Sequence, residues 1–407
     1  MAAEMAVTAA EYLFYIFFVL KQFYLFSSGG IGIADVCLAA AGLLLIADAI
    51  RKRDFGKFMK EDIPLYVFLF CVAAVNAYYA HHFGSREYLK YTLFWWFNGF
   101  AIWIWQYLNS RIGGMEDNAS FSFRKRMILL IKANILIQLL ILLSGRGRIF
   151  TEYWGATRYM GTFNDPNQLA FFIFMMLLFG HLYMYEAKDR SYPVFYAAGL
   201  FIVLKTKSTG ILLGIALFSL LVLIWFLIRV WKTGKIPVKY WLIGLAASAL
   251  FIGFSLYVIW PPADFDVTLV DYNMLTRIQE KIWKLCHGGL GGMLLDRGAD
   301  RLLQHPECLL YGAGEGGFDR YPYNGITNEL HSSFFSVWFC YGILPAGLLL
   351  YWIGSKLRQT RSYQWCAVLA LIAESFLLVN YRQPMFWMIL LFAAAEKNRI
   401  ALGREAK

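Results

Sequence analysis

The chain has 407 residues, of which 59% are apolar and only 16% charged, and its formal net charge is +11. A soluble globule carries roughly a quarter charged residues, so this composition excludes a string of water-soluble domains and favours one membrane body. The charge does not mark a nucleic-acid binder either. The cations stand in short clusters between apolar runs ("RKRDFGKFMK", "FRKRM", "RVWKTGKIPVK", "SKLRQTR", "KNRIALGREAK"), a positive-inside pattern and not one continuous basic face.

The opening stretch, "MAAEMAVTAAEYLFYIFFVL", has an acidic residue where a signal peptide would carry basic ones, and reads as an uncleaved first span. Apolar runs approaching the roughly 20 residues that cross a bilayer as helix then predict twelve spans. They lie near 8–27, 31–50, 64–81, 88–108, 127–144, 167–185, 192–205, 209–229, 240–260, 331–353, 362–380 and 384–396. The segment 192–205 is short and needs a tilt or a snorkelling Lys205 to reach the surface.

With the N-terminus inside, the basic clusters at 51–60, 124–126, 229–239, 356–361 and 397–407 all fall on the cytoplasmic side. A shift of one span destroys that agreement. The expected architecture is an all-α polytopic membrane protein. Helices 1–9 occupy residues 1–261, a long external loop occupies 262–330, and helices 10–12 with a cytoplasmic tail occupy 331–407. The loop contains two helix-like stretches, "MLTRIQEKIWKL" and one ending in "RLLQHPE", separated by a flexible "HGGLGG".

Of the six cysteines, Cys37, Cys71, Cys340 and Cys366 fall inside spans as small apolar fillers. Cys286 and Cys308 share the long loop, and two free thiols is the simpler reading than a pair, because no disulfide framework surrounds them. His81, His82, His181, His287 and His305 lack ligand spacing, so no metal site and no cofactor are expected.

Under this topology Arg146, Arg148, Arg158, Lys205, Lys207, Arg277, Arg297, Arg301, Arg320 and Arg382 lie on or near the outer side. Arginine offers a planar fork suited to phosphate oxygens. A cluster of such cations over a membrane suggests an anionic, lipid-anchored ligand. In "TRYMGTFNDPNQLAFF", Asp165, Pro166 and Asn167 suit a helix entry, the polar side chains capping and proline in the first turn; that entry leaves Arg158 and Gly161 unexplained. "YGAGEGGFDRY" matches the dinucleotide fingerprint spacing through Gly312, Gly314 and Gly317, but no strand–helix–strand unit surrounds it. It reads instead as a flexible glycine turn carrying Glu315 and Arg320 beside a site.

In "NELHSSFFSVWFCYG", Glu329 and His331 stand at the lip of the tenth span, with Ser332 and Ser333 available as caps. Two apart, they point the same way in an extended segment. A neutral imidazole there can accept a proton from a sugar hydroxyl, oriented by the carboxylate. A histidine that only snorkels at the interface is the competing reading.

The order of these landmarks resembles the bacterial O-antigen ligase and polysaccharide polymerase superfamily, best over 150–350. Its arginine followed by "G-x-F-x-x-P-N-x-L-A" is matched by Arg158, Gly161, Phe163, Pro166, Asn167, Leu169 and Ala170. Its "S-R-G" break is matched by Ser208 and Gly210 with Thr209 where arginine usually stands, so Lys205 or Lys207 would substitute. Its loop arginine, "HP…G-x-G" and span-opening histidine are matched by "DRGADRLLQHPECLLYGAGEGGF" and "ELHSSFFSVWFCYGILPAGLLL".

The resemblance implies a glycosyltransferase-C-like, metal-independent, inverting enzyme on the outer face of the cytoplasmic membrane. His331 would be the base, assisted by Glu329. Arg158, Asn167, Lys207, Arg297, Arg301, Glu315 and Arg320 would hold donor diphosphate and glycan, with Arg277 a further candidate for the loop arginine. The donor would be a polyprenyl-pyrophosphate-linked oligosaccharide, and the partners membrane lipid, a chain-length regulator and a flippase. A polymerase of repeat units is favoured over a ligase that passes a finished glycan to another acceptor. A transporter of lipid-linked sugars would need charges through mid-span, where Lys21 and Glu374 are the main candidates.

Overall fold

The computed structural model of the protein describes residues 2–24, 32–54, 61–113, 117–151, 157–234, 253, 256–266, 273–295, 297–321 and 329–397. Five helices come first: α1 (Ala2–Leu20), α2 (Ile33–Lys52), α3 (Ile63–Phe83), α4 (Glu87–Gly113) and α5 (Asp117–Leu143). An antiparallel hairpin follows, β1 (Arg148–Thr151) and β2 (Thr157–Gly161). Then come α6 (Pro166–Gly180), prolonged by a π turn (His181–Tyr185), α7 (Tyr192–Thr206) and α8 (Thr209–Lys232). The rest is α9 (Met274–Leu295), two short helices α10 (Arg301–Gln304) and α11 (Pro306–Tyr311), then α12 (Ser333–Tyr341), α13 (Ile343–Leu357), α14 (Gln364–Ser375) and α15 (Pro384–Leu390).

The chain is therefore mostly helical, as its composition requires, with one small hairpin that an all-α reading did not include. Thr, Tyr, Ile and Phe in "RIFT" and "TRYMG" are strand-favouring residues. Among the described residues, α2, α3, α8, Ala119–Leu143 and Pro166–Tyr185 are long and apolar enough to cross a membrane. Other expected spans are shorter: Tyr192–Thr206, Ile343–Leu357 and Gln364–Ser375 are apolar but below that length. The expected span at 240–260 lies mostly outside the described residues. In the long loop the first helix-like stretch is α9, whose glycine tract departs from helix at Gly289 (φ 60, ψ −169). Cys286 is exposed, Cys308 is buried, and both are free thiols.

Contacts between helix ends sort the bundle into two faces. On one, Arg111 at the end of α4 pairs with Asp48 of α2 at 2.9 Å, and Lys356 of α13 pairs with Asp62 before α3 at 2.8 Å. Arg124 of α5 reaches Glu186 and Glu396 at 3.3 and 3.4 Å. The clusters Arg51–Arg53, Arg124–Arg126 and Lys356–Arg361 belong to this basic face. At the other face, Lys21 after α1 pairs with Asp35 of α2 at 2.7 Å, and the Tyr24 N–H bonds the Thr162 carbonyl at 3.2 Å. Lys21 and Glu374, expected within spans, both stand at helix ends. Lys21 lies past the end of α1 and Glu374 in the last turn of α14, both on this second face.

The expected tenth span, 331–353, is two helices broken at Gly342. In a continuous helix the carbonyls of Phe339 and Cys340 would accept from residues four further on. Here they accept from the backbone N–H groups of Ala313 (2.9 Å) and Gly314 (2.8 Å), so the segment after α11 is spliced into the break. From Gly312 to Gly316 the expected flexible turn is consequently a buried strap. Gly342 has φ 81, ψ 174, a region that is essentially glycine-only. A Cβ there would lie 2.4 Å from the Leu310 carbonyl oxygen, and one on Gly312 2.5 Å from that of Cys340. Replacing Gly342 by alanine should cost about 1–3 kcal/mol from the backbone alone, read as a lowered Tm of the purified protein. An unchanged Tm contradicts the splice.

Candidate functional site

The strap delivers Glu315 to the middle of the molecule with 0% exposure. Its backbone N–H bonds Asn76 Oδ1 at 2.9 Å. Its carboxylate accepts from Trp95 Nε1 (2.9 Å), Tyr341 OH (2.5 Å), Tyr381 OH (2.6 Å) and the Arg382 Nε and Nη2 (2.9 and 2.6 Å). A buried carboxylate is tolerable only when paired and fully hydrogen-bonded, and this one is both. Glu315 is therefore an anchor for Arg382, where a contact to ligand had been expected. From there Arg382 Nη2 reaches forward to Glu329 at 2.7 Å, while its guanidinium lies over the Tyr91 ring at 4.6 Å.

Arg382 and Glu329 open onto a cavity of about 720 Å³. His331 lines it too, together with Asp165, Asn167, Gln168 and Asn380, and with Lys21 and Asp35 across from them. Apart from Lys90 and Gln383, its remaining wall is mostly apolar, with Phe94, Phe97, Phe171, Phe172 and Met175. Leu93, another lining residue, is 67% exposed on the outer flank of α4, so the cavity meets the lipid-facing side of the bundle.

Two stitches hold the histidine in place. Its own N–H bonds the Arg297 carbonyl at 3.0 Å, and Arg297 Nη1 bonds the Leu377 carbonyl at 2.8 Å. Ser333 Oγ bonds the Leu378 carbonyl and accepts from the Asn380 N–H, both at 2.8 Å, while Ser332 caps α12 as its sequence position suggests. Asn380 Nδ2 donates to the buried Glu374, which braces this corner from below.

The imidazole is held below the ordinary histidine value. Burial is the main cause, Glu329 opposes it, and the charges of Arg297, Arg301 and Arg382 add to it. Glu329 and His331 do line one cavity as expected, but the partner of the Glu329 carboxylate is Arg382 and no hydrogen bond joins it to the ring. Arg301 is the unusual group. It is 2% exposed, and its Nε has no hydrogen-bond partner among the described residues. The neighbouring Asp300 charge offsets part of the cost of burying it, and Arg301 stands within electrostatic reach of His331, although neither it nor Arg297 lines the cavity.

The other expected contacts serve as framework. Asp165 caps α6 through the N–H groups of Asn167 (2.7 Å) and Gln168 (3.2 Å), with Pro166 in the first turn, as the sequence indicates. Asn167 Oδ1 accepts from Arg158 Nη2 (2.8 Å) and Ser208 Oγ (2.9 Å), while Arg158 Nε bonds the Thr206 carbonyl at 3.0 Å. The first two sequence landmarks therefore meet at Asn167, which lines the cavity with Phe163, Asp165 and Gln168. Arg158 is buried behind it, and Lys207 forms the left-handed cap (φ 53) between α7 and α8.

Gly161 ends β2 at φ 58, where a Cβ would lie 2.6 Å from Gln138 Oε1, which accounts for a glycine that helix entry left unexplained. Arg320 packs over Tyr79 (4.7 Å) and Phe83 (4.4 Å) and donates to the Ala313 carbonyl, clamping the strap. Sequence reasoning placed Arg382 among outer cations but not in the site. "NYRQP", a cation just before a helix-opening proline, was the available signal.

Among the described residues no group of three or more His, Cys, Asp or Glu side chains could hold a metal ion. No protein-family model matches this sequence, and no curated protein matches it.

Removing one partner of a buried ion pair costs about 3–5 kcal/mol. Glu315→Gln leaves Arg382 paired with Glu329 and should cost less than Arg382→Gln, which leaves the buried carboxylate with neutral donors only. The double variant should be more stable than Arg382→Gln alone. Thermal unfolding of the three proteins checks this order, and simple additivity contradicts the pairing.

Proposed function

We propose that the protein is a polytopic membrane glycosyltransferase joining polyprenyl-pyrophosphate-linked oligosaccharides on the outer face of the cytoplasmic membrane, most specifically as a polymerase of repeat units. Twelve spans with the basic face inward agree with the charge clusters. The observation that carries the reading is a cavity in which His331, Glu329 and Arg382 share one corner opposite an apolar wall, with the charges of Arg297 and Arg301 acting on His331 from outside the lining. The corner is electropositive, the imidazole awaits a hydroxyl, and the apolar wall suits a lipid tail.

In this mechanism His331 takes the proton of the acceptor hydroxyl as its oxygen attacks the anomeric carbon. The bond from that carbon to the diphosphate breaks, and polyprenyl diphosphate leaves with the electron pair from the face opposite attack. Arg297 and Arg301 neutralise the developing charge, and preorganised positioning supplies much of the rate. A ligase differs only in acceptor. Transport is less well supported, because Lys21 and Glu374, the charges it would need at mid-span, both stand at helix ends.

His331→Ala should lower transfer by about 10²–10⁴-fold in a purified assay, and in cells the lipid-linked single repeat should accumulate. Accumulated polymer still on lipid would identify a ligase; material retained inside would overturn the transferase reading. The rate should depend on neutral imidazole, so it falls as pH drops through the value of His331, which lies below that of ordinary histidine. Arg297→Gln removes one cause of that depression, so the acid limb of kcat/KM should move to higher pH. No movement contradicts the assignment of the base.

A further inference from the structure

At the opposite end of the bundle the π turn, α7, α8 and Tyr363 enclose a second cavity of about 770 Å³. Its charges do not balance locally. Glu186, in the lining, is met from outside by Arg124 (3.3 Å) and Arg361 (3.6 Å). Asp189 is met by Lys132 at 2.6 Å and by the Ser191 N–H and hydroxyl at 2.9 and 2.7 Å. The lining cations Lys188, Arg190 and Arg229 have no carboxylate within ion-pair distance among the described residues. The pocket is therefore electropositive although acids line it.

Arg229 is also aimed. Its Nη1 donates to Tyr185 OH at 3.0 Å, and its guanidinium lies over the Trp225 ring at 5.4 Å. Tyr185 and Trp225 meet edge to face at 5.3 Å, forming an aromatic collar of the kind found at a membrane–water boundary. Beyond the collar α8 presents Leu223, Ile224 and Phe226 outward, 48%, 43% and 51% exposed. Cations above, aromatic rings between and an apolar flank below match the order of groups in a phospholipid. A soluble phosphate would use only the first.

We infer that this pocket binds the headgroup of an anionic phospholipid from the leaflet on the basic face, with Arg190 and Arg229 holding the phosphate and the acyl chains along α8. The site stands apart from the cavity of His331 and does not rest on the transferase reading.

The test uses the purified full chain in nonionic detergent, with phosphatidylglycerol, phosphatidylethanolamine or inorganic phosphate added. Phosphatidylglycerol should raise Tm, and the other two should not. Arg190→Gln with Arg229→Gln should weaken the apparent affinity about thirtyfold, at one charge contact each. Arg51→Gln with Lys52→Gln, exposed cations of the same face, should leave it unchanged. Native mass spectrometry should show retained phosphatidylglycerol lost in the first pair only. Equal weakening by the control pair, an equal response to phosphatidylethanolamine, or stabilisation by inorganic phosphate alone would each overturn the inference. All four substituted residues are exposed, so both variants should fold.

Discussion

Burying the Glu315 carboxylate takes an ion out of water, and the Arg382 guanidinium with three neutral donors offsets that cost. Everything at the cavity corner is downstream of this pair. Glu315 arrives on a strap that exists only because α12 and α13 part at Gly342 and expose two carbonyls for Ala313 and Gly314. Arg382, fixed on one carboxylate, turns the second N–H of its Nη2 to Glu329 at 2.7 Å, and Glu329 shares the cavity with His331. The polar corner is therefore tied to a helix break and not to a mobile loop. That rigidity is what positioning of an attacking hydroxyl requires.

The two faces divide the charges by kind. On the basic face the cations stand in runs at helix ends, many paired with carboxylates of neighbouring helices. On the cavity face some occur singly and are drawn into the protein, Arg158 and Arg301 fully and Arg382 in part. Runs of surface cations orient a membrane protein; single buried arginines are too costly to persist without a structural or ligand partner. Arg158 and Arg382 have structural partners. Arg301 has the charge of Asp300 beside it, and its Nε has no hydrogen-bond partner among the described residues.

Much of the helix layout was legible because apolar runs of membrane length leave little choice of secondary structure. The Asp165 cap, α9 and the ends of α7 and α8 follow from local signals. The break at Gly342 was not legible, since "YGI" inside an apolar run gives no hint that a distant strap needs its carbonyls. Nor was the fate of Glu315. A carboxylate among glycines looks solvated in sequence, and only tertiary contacts with Trp95, Tyr341, Tyr381 and Arg382 reveal it as a core anion. For the same reason Arg158 and Arg320 looked like ligand contacts. Sequence gives their charge, but the carbonyls and rings that occupy them come from elsewhere in the chain.

Sidedness is the most direct test of the account, because the cations and imidazole can meet an exported lipid-linked glycan only from outside. In a background lacking the six native cysteines, single cysteines at the exposed positions Asp319 and Arg358 would be labelled in intact cells with a membrane-impermeant thiol reagent. The account predicts labelling at 319 without permeabilisation, and at 358 only after it. The reverse pattern would put the His331 cavity on the cytosolic side and contradict it.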